Sequence, residues 1–231
     1  MGVNVKIYED LMREFTKRNI TLVAVSKLKP VSDIMELYQL GHRDFGENYV
    51  QELIQKQMLL PADIRWHFIG HLQTNKVKYV VPFVHMIHGV ESHKLLEEID
   101  KQAAKHLRRI NCLLQVHIAE EETKFGLNQQ ELMEIVGNIP KYKLLNKMEH
   151  IVICGLMGMA TFSENKEQVE KEFRSLKYMF DEAKAAMTQS SSFDTISMGM
   201  SDDYKIAVKE GSTLVRIGSL LFGRREYNEP L

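Results

Sequence analysis

Three groups of residues in this chain have types and positions that could act together. Lys27 lies in AVSKLKP (24–30), just past the apolar run Thr21-Leu22-Val23-Ala24-Val25 and on the same alternating face as Val23 and Val25. Lys29 follows before Pro30. An ammonium at the end of a core strand must reach water or be held for a purpose, because burial without a partner is costly and drives its pKa down. Arg216 lies between Val215 and Ile217, inside an apolar run where a guanidinium needs an acceptor. That acceptor could be a structural ion-pair partner or the ring nitrogen of a ligand. Gly199-Met200-Ser201 and Gly218-Ser219 offer close backbone approach and hydroxyl donors, and a helix starting at Ser219 would aim free N–H groups at an anion. Ser201 also reads as the N-cap of a helix beginning Asp202-Asp203, whose acids would repel a phosphate there. Gly218 and Ser219 therefore carry most of the anion's support, with Ser201 as a secondary donor.

An amine, an anion cradle and an in-strand arginine are together what pyridoxal phosphate requires. The amine meets the aldehyde, the cradle holds the phosphate, and the arginine faces the pyridine nitrogen. A phosphate-handling protein without that cofactor would need the cradle alone.

These residues are far apart in the chain and need a scaffold that gathers strand ends. Short apolar β-type runs alternate with longer amphipathic stretches, the rhythm of parallel βα units. An opening helix with Val5, Tyr8, Met12 and Phe15 on one stripe precedes strands expected at 21–26, 43–47, 65–70, 84–90, 111–119, 150–159, 194–200 and 213–218. The intervening helices are expected from Ser32, as N-cap, to a stop at Gly41, then over 48–60, from about Thr74, and over 92–109, 128–138, 165–187 and 202–209. This order predicts an α/β protein: a single closed (β/α)8 TIM barrel with an extra N-terminal helix, one domain over 1–231, with its working face at the loops after the strands. FGEN, WHFIGHLQTNK, SMGMSDD and VRIGS all fall at that end.

Composition narrows the partners. Lys+Arg total 30 against Asp+Glu 31, which supplies no footprint for nucleic acid or an anionic membrane surface. The start, MGVNVKIYEDLMREFTKRN, lacks an apolar signal region, and Lys6 stands where a myristoylation signal wants Ser or Thr. No stretch approaches the roughly 20 apolar residues of a membrane span. A soluble cytoplasmic protein is expected. Cys112 and Cys154 sit inside apolar segments as small buried hydrophobes, with no metal or redox spacing.

The stretches AVSKLKP, GHRDFGENYVQE, WHFIGHLQTNK, SMGMSDDY and GSTLVRIGSLLFGRREY run in order from 24 to 227 and resemble the pyridoxal phosphate homeostasis protein family. SMGMSDD together with VRIG-hydroxyl-xx-FG is the most specific part of the likeness. That family is similar in fold to the N-terminal barrel domain of alanine racemase, pyridoxal phosphate fold type III. The resemblance implies that Lys27 holds the cofactor as an aldimine, with Lys29 a nearby rim residue. It also implies that Arg216 faces the pyridine nitrogen and that Ser201, Gly218 and Ser219 hold the phosphate. Ser219 stands where the family often has threonine, which keeps the hydroxyl. Asn48 and His67 match positions lining the same pocket, while TKFGLN at 123 and GLMGMAT at 155 match loosely and receive no role. The implied task is to bind pyridoxal phosphate, limit its free aldehyde and pass it to apo-enzymes, with effects on amino-acid and keto-acid balance.

Racemisation at an amino acid's Cα needs a base on each face of the carbanion, and in the resembling racemases the second is a tyrosine from another domain across a dimer interface. The sequence given ends about a dozen residues after the eighth strand, so a monomer that holds the cofactor rather than using it is expected. An arginine opposite the ring nitrogen points the same way, because guanidinium cannot accept that proton and the ring stays a weaker electron sink. A fold-type-III racemase or lyase is the alternative, through Tyr8, Tyr49, Tyr79 or Tyr204, each of which could lie at the mouth or pack. His67-x3-His71 and His85-x2-His88 raise a zinc hydrolase, but on a strand-to-loop segment that spacing does not fix both rings on one face, and no metal is expected. The RREYNEPL tail could mediate a contact or simply be solvated.

Overall fold

The computed structural model describes residues 2–119, 125–144, 148–187 and 192–223, the side chains of 140–144 excepted. The RREYNEPL tail, the start of TKFGLN and most of the serine run at 190–192 lie outside the described residues. Strands β1 (Thr21–Val25), β2 (Asp44–Glu47), β3 (Arg65–Phe68), β4 (Met86–Val90), β5 (Ile110–Val116), β6 (Ile151–Gly158), β7 (Thr195–Ser197) and β8 (Leu214–Ile217) pair in parallel in chain order. β8 returns to β1, from Thr21↔Leu214 to Ala24↔Ile217, and closes the expected barrel.

The outer layer follows from the amphipathic stretches. α1 (Val5–Arg18) precedes the barrel, with Asn4 accepting from the Ile7 N–H at its start and left-handed Asn19 at its end. Then come α2 (Val31–Gln39), α3 (Val50–Leu59), a 3-10 turn (Thr74–Lys76) running into α4 (Val77–Val80), α5 (His93–Lys105), α6 (Gln129–Leu144), α7 (Lys166–Ala186), α8 (Tyr204–Lys209) and α9 (Ser219–Phe222). Several strands are shorter than their apolar runs: 65–70 contracts to Arg65–Phe68 and 194–200 to Thr195–Ser197, because the chain leaves the sheet early to build the mouth. The helix expected from about Thr74 is correspondingly brief, whereas that over 128–138 extends to Leu144.

Two helix starts correct the sequence reading. α2 begins at Val31 with extended Pro30 as its N-cap, and Ser32 lies in the first turn beside Asp33. Proline's fixed φ suits that entry, so no side-chain cap is needed. Ser201 does not cap α8; Asp203 occupies the N-cap, and Ser201 turns elsewhere.

Alternation along each strand separates two apolar layers. Leu22, Ala24, Phe45, Trp66, Phe68, Ile87 and Leu114 pack outward under the helices, while Val23, Met86, Leu113, Cys154, Met157 and Leu214 fill the barrel lumen. Both cysteines are buried and unlinked, and burial pushes the Cys154 thiol up to about 11. Among the described residues, no helix is long and apolar enough to cross a membrane.

Candidate functional site

A cavity of about 570 Å3 opens at the C-terminal ends of the strands, within the range of small-molecule sites. Lys27 reaches its wall from the loop after β1, Asn48 from β2, Ser201 from β7, and Arg216, Gly218 and Ser219 from β8 and the start of α9. Val25, Ile69, Met159, Phe162 and Met200 supply an apolar face. The residues expected from sequence converge here, with the exception of His67, which is not part of this wall. Tyr8, Tyr49, Tyr79 and Tyr204 do not line it either. Tyr8 packs edge-on against His42, Tyr204 edge-on against Phe15, Tyr79 lies under Lys78, and Tyr49 is the exposed N-cap of α3.

The two lysines after β1 are placed differently. Both line the cavity, but Lys29 Nζ donates to the carbonyls of Phe222 and Gly223 at 2.6 and 3.3 Å, which ties it to the end of α9. Asn48 presents a buried Oδ1 that accepts no hydrogen bond from any described residue, an open acceptor in the cavity wall.

The corner between β7 and β8 gathers a hydroxyl and main-chain N–H groups. Gly199 has φ 96°, and a Cβ there would meet the Ala207 Cβ at 2.6 Å, so only glycine allows the turn that brings Met200 and Ser201 back toward β8. Met200 N–H donates to Asp203 Oδ1 at 2.6 Å. Ser201 Oγ stands 3.4 Å from both Gly218 N and Leu220 N. These bonds are long, so the hydroxyl and two main-chain N–H groups form a convergent donor set that a stronger acceptor would satisfy better. Asp202 shares the wall and opposes an anion, but Lys27, Lys29 and Arg216 share it too and outweigh that charge.

Arg216 is 3 % exposed, and its Nη1 donates to Ser197 O and Oγ at 2.7 and 2.6 Å while Nη2 donates to Gly158 O at 3.0 Å. Its acceptors are carbonyls and a hydroxyl, and among the described residues no carboxylate lies within ion-pair distance. Burial pushes the guanidinium down to about 10, partly offset by Asp203, and it stays cationic at neutral pH. Ser197 Oγ continues to His88 Nδ1 at 3.1 Å, His88 Nε2 to His67 Nδ1 at 2.9 Å, and His67 Nε2 to Asp44 Oδ1 at 3.0 Å. His67 therefore sits deeper in the lumen than the sequence suggested and reaches Arg216 only through His88 and Ser197. Burial of Asp44 opposes ionisation, but bonds from His67 and Arg65 prevail and hold its carboxyl well below the usual range. Of the histidines that raised a zinc reading, His67 and His88 bond to one another, His85 packs its ring against His67, and His71 pairs with Glu91. Among the described residues, no group of three or more His, Cys, Asp or Glu side chains could hold a metal ion.

Buried His42 and His88 and half-buried His85 should make folding acid-sensitive. Burial pushes His42 and His85 down to about 4 and drives His88 in the same direction. Because the unfolded value is about 6.5, the unfolded chain takes up protons first, so the stability is full above about pH 6.5 and drains as pH falls toward 4. His42 alone represents about 3 kcal/mol of this. The melting temperature should decline steadily from pH 7 to pH 4.5, and a flat profile across that window would contradict the assignment.

The sequence reading missed what lies beneath Lys27. Lys56 on α3 is 5 % exposed and bonds Ser26 O, Glu47 and Glu52. Burial raises the Glu47 carboxyl above its ordinary range against the pull of Lys56. One signal was available: Lys56 continues the stripe of Val50 and Leu53, the buried face of α3.

A closed parallel barrel with a lysine-bearing first loop and a serine–glycine corner after its last two strands defines the class, the barrel of alanine racemase's N-terminal domain. The family model described as "Alanine racemase, N-terminal domain" matches residues 8–226. The solved alanine racemase of Bartonella henselae, 18% identical, shares the fold at a TM-score of 0.69, with 97% of this chain and 60% of that chain covered. The pyridoxal phosphate homeostasis protein of Aquifex aeolicus is 40% identical over 207 residues, 89% of this chain and 87% of that protein. The Escherichia coli protein of the same name is 35% identical over 214 residues, covering 91% and 88%. PipY of Synechococcus elongatus, solved with PLP bound, is 35% identical at a TM-score of 0.78, covering 89% of this chain and 93% of that one. This chain belongs to the pyridoxal phosphate homeostasis protein family.

Proposed function

We propose that this protein binds pyridoxal 5'-phosphate in the cavity, covalently through Lys27, and acts in cytoplasmic homeostasis and delivery of the cofactor to apo-enzymes. The observation that carries this reading is the convergence of Lys27, Arg216 and the Ser201–Gly218–Ser219 corner in one cavity. The donors at the corner receive the phosphate, Arg216 donates toward the ring nitrogen, and the open Asn48 Oδ1 offers an acceptor to the ring's substituents. Val25, Ile69 and Met159 give the ring an apolar surface and keep water from the link at Lys27. The cofactor, when bound, supplies a reactive aldehyde that a carrier must keep out of solution. None of the four candidate tyrosines lines the cavity, so this arrangement supports holding over racemisation. Arg216 supports it too, because a guanidinium donates to the ring nitrogen without giving up a proton at neutral pH.

Equilibrium binding of pyridoxal 5'-phosphate, compared with pyridoxal lacking the phosphate, tests the reading. The phosphorylated form should bind far more tightly, and equal affinities would remove the phosphate from this corner. Ser219→Ala should weaken the phosphorylated form by about 1 to 2 kcal/mol, the loss of one charge-assisted hydrogen bond, and leave pyridoxal unaffected.

A further inference from the structure

The loop carrying Lys27 is tied down by side chains that do not reach the cavity. Lys56 Nζ donates to Ser26 O at 2.7 Å, to Glu47 Oε1 at 2.8 Å and to Glu52 Oε1 at 2.7 Å. Ser26 Oγ donates to the same Glu47 oxygen at 2.7 Å, and Leu28 N–H donates to the same Glu52 oxygen at 2.6 Å. Both neighbours of Lys27 are thus connected to one buried ammonium, Ser26 directly and Leu28 through Glu52.

Two features say that this cluster serves position rather than stability. Leu28 holds φ 60°, a left-handed conformation that is unfavourable for leucine, yet its side chain is 59 % exposed and gains little packing there. The bond to Glu52, together with the Lys29 N–H that donates to Ser26 O at 3.0 Å across the turn, opposes relaxation of that backbone. The cluster is also an expensive way to fill an interior: Glu47 Oε2 and Glu52 Oε2 are buried and bonded to no described residue. Apolar side chains of similar volume commonly match or exceed the stability of such buried ion pairs. Strain held by surrounding bonds is a recurrent property of functional loops.

We infer that Lys56, Glu47 and Glu52 form a positioning bracket that holds Lys27 where its amine meets an aldehyde bound in the cavity. The inference rests on the proposed attachment at Lys27. None of the three residues lines the cavity, so the bracket should govern the covalent link without governing reversible docking of ring and phosphate.

Two vitamers separate these contributions. Pyridoxal 5'-phosphate carries the aldehyde; pyridoxine 5'-phosphate has the same ring and phosphate but an alcohol that cannot condense with an amine. In Glu52→Ala, affinity for the aldehyde should fall about tenfold while affinity for the alcohol stays within about twofold, which also verifies an intact cavity. Glu52→Gln should restore most of the loss, since its amide oxygen can accept the Leu28 N–H. Glu52→Asp keeps the charge beside Lys56 but shortens the reach to Leu28, and it should reproduce the selective loss even if Glu52→Ala fails to fold. Equal losses for both vitamers, or no loss for either, would overturn the bracket. If the unmodified protein binds both vitamers equally and borohydride fixes none of the aldehyde, the attachment at Lys27 fails instead.

Discussion

Lys27→Ala is expected to abolish the covalent link to pyridoxal 5'-phosphate, and with it the visible absorbance of the bound cofactor, while reversible binding survives. The Ser201–Gly218–Ser219 corner and Arg216 are untouched by the substitution, so phosphate and ring retain their partners. The affinity lost is that of the second, intramolecular attachment. On the order of a hundredfold is a reasonable scale, the gain usually found when one anchor presents a ligand to another. The variant should therefore bind pyridoxal 5'-phosphate no more tightly than pyridoxine 5'-phosphate. An unchanged absorbance would mean that another amine is the partner. Lys29 is the nearest candidate in sequence, but its Nζ is engaged by Phe222 O at 2.6 Å and would have to abandon the end of α9.

Arg216→Met should have the second largest effect. Methionine keeps an unbranched side chain of comparable length in the lumen but donates nothing to the ring nitrogen. Losing a hydrogen bond from a charged donor costs about 1.5 to 3 kcal/mol, roughly a tenfold to hundredfold loss of affinity. Ser197 O and Gly158 O also lose their donor, so the melting temperature should drop as well. Inorganic phosphate separates the two consequences. As a competitor it should lose only the long-range attraction of one cation, a much smaller loss than the cofactor's, because its hydrogen-bond donors are Ser201 and the start of α9. Unaltered cofactor affinity together with a lowered melting temperature would make Arg216 a purely structural residue of the lumen.

The alternation of apolar runs and amphipathic stretches was enough to foresee the closed barrel, because strands buried on both faces leave runs such as TLVAV and INCLLQV, and the less apolar DFGE and RWHF fall at the same interval. The positions of Lys27, Gly218 and Ser219 then follow from the barrel's geometry, since residues just past strand ends must share one mouth, and Arg216 points into the lumen below them from within β8. Ser201 shows where local pattern misleads. A serine before two acids has the form of an N-cap, yet the left-handed turn at Gly199 rotates it toward Gly218 and Leu220, which no short-range rule anticipates. His67 shows a second limit: the resemblance set it in the pocket wall, but depth along the axis depends on barrel stagger, and its bonds to His88 and Asp44 join strands whose register is set by the whole sheet. Lys56 shows a third. A lysine on an apolar helical stripe commonly extends past its neighbours to water, and only the carboxylates of Glu47 and Glu52 above it convert that position into a buried anchor.

The most direct measurement is borohydride reduction of the protein saturated with pyridoxal 5'-phosphate, followed by peptide mapping by mass spectrometry. A single adduct of one cofactor per chain, carried on Lys27 and lost in Lys27→Ala, is the predicted result. A protein that stays unmodified at saturation, or an adduct confined to a lysine away from the cavity, would contradict the account.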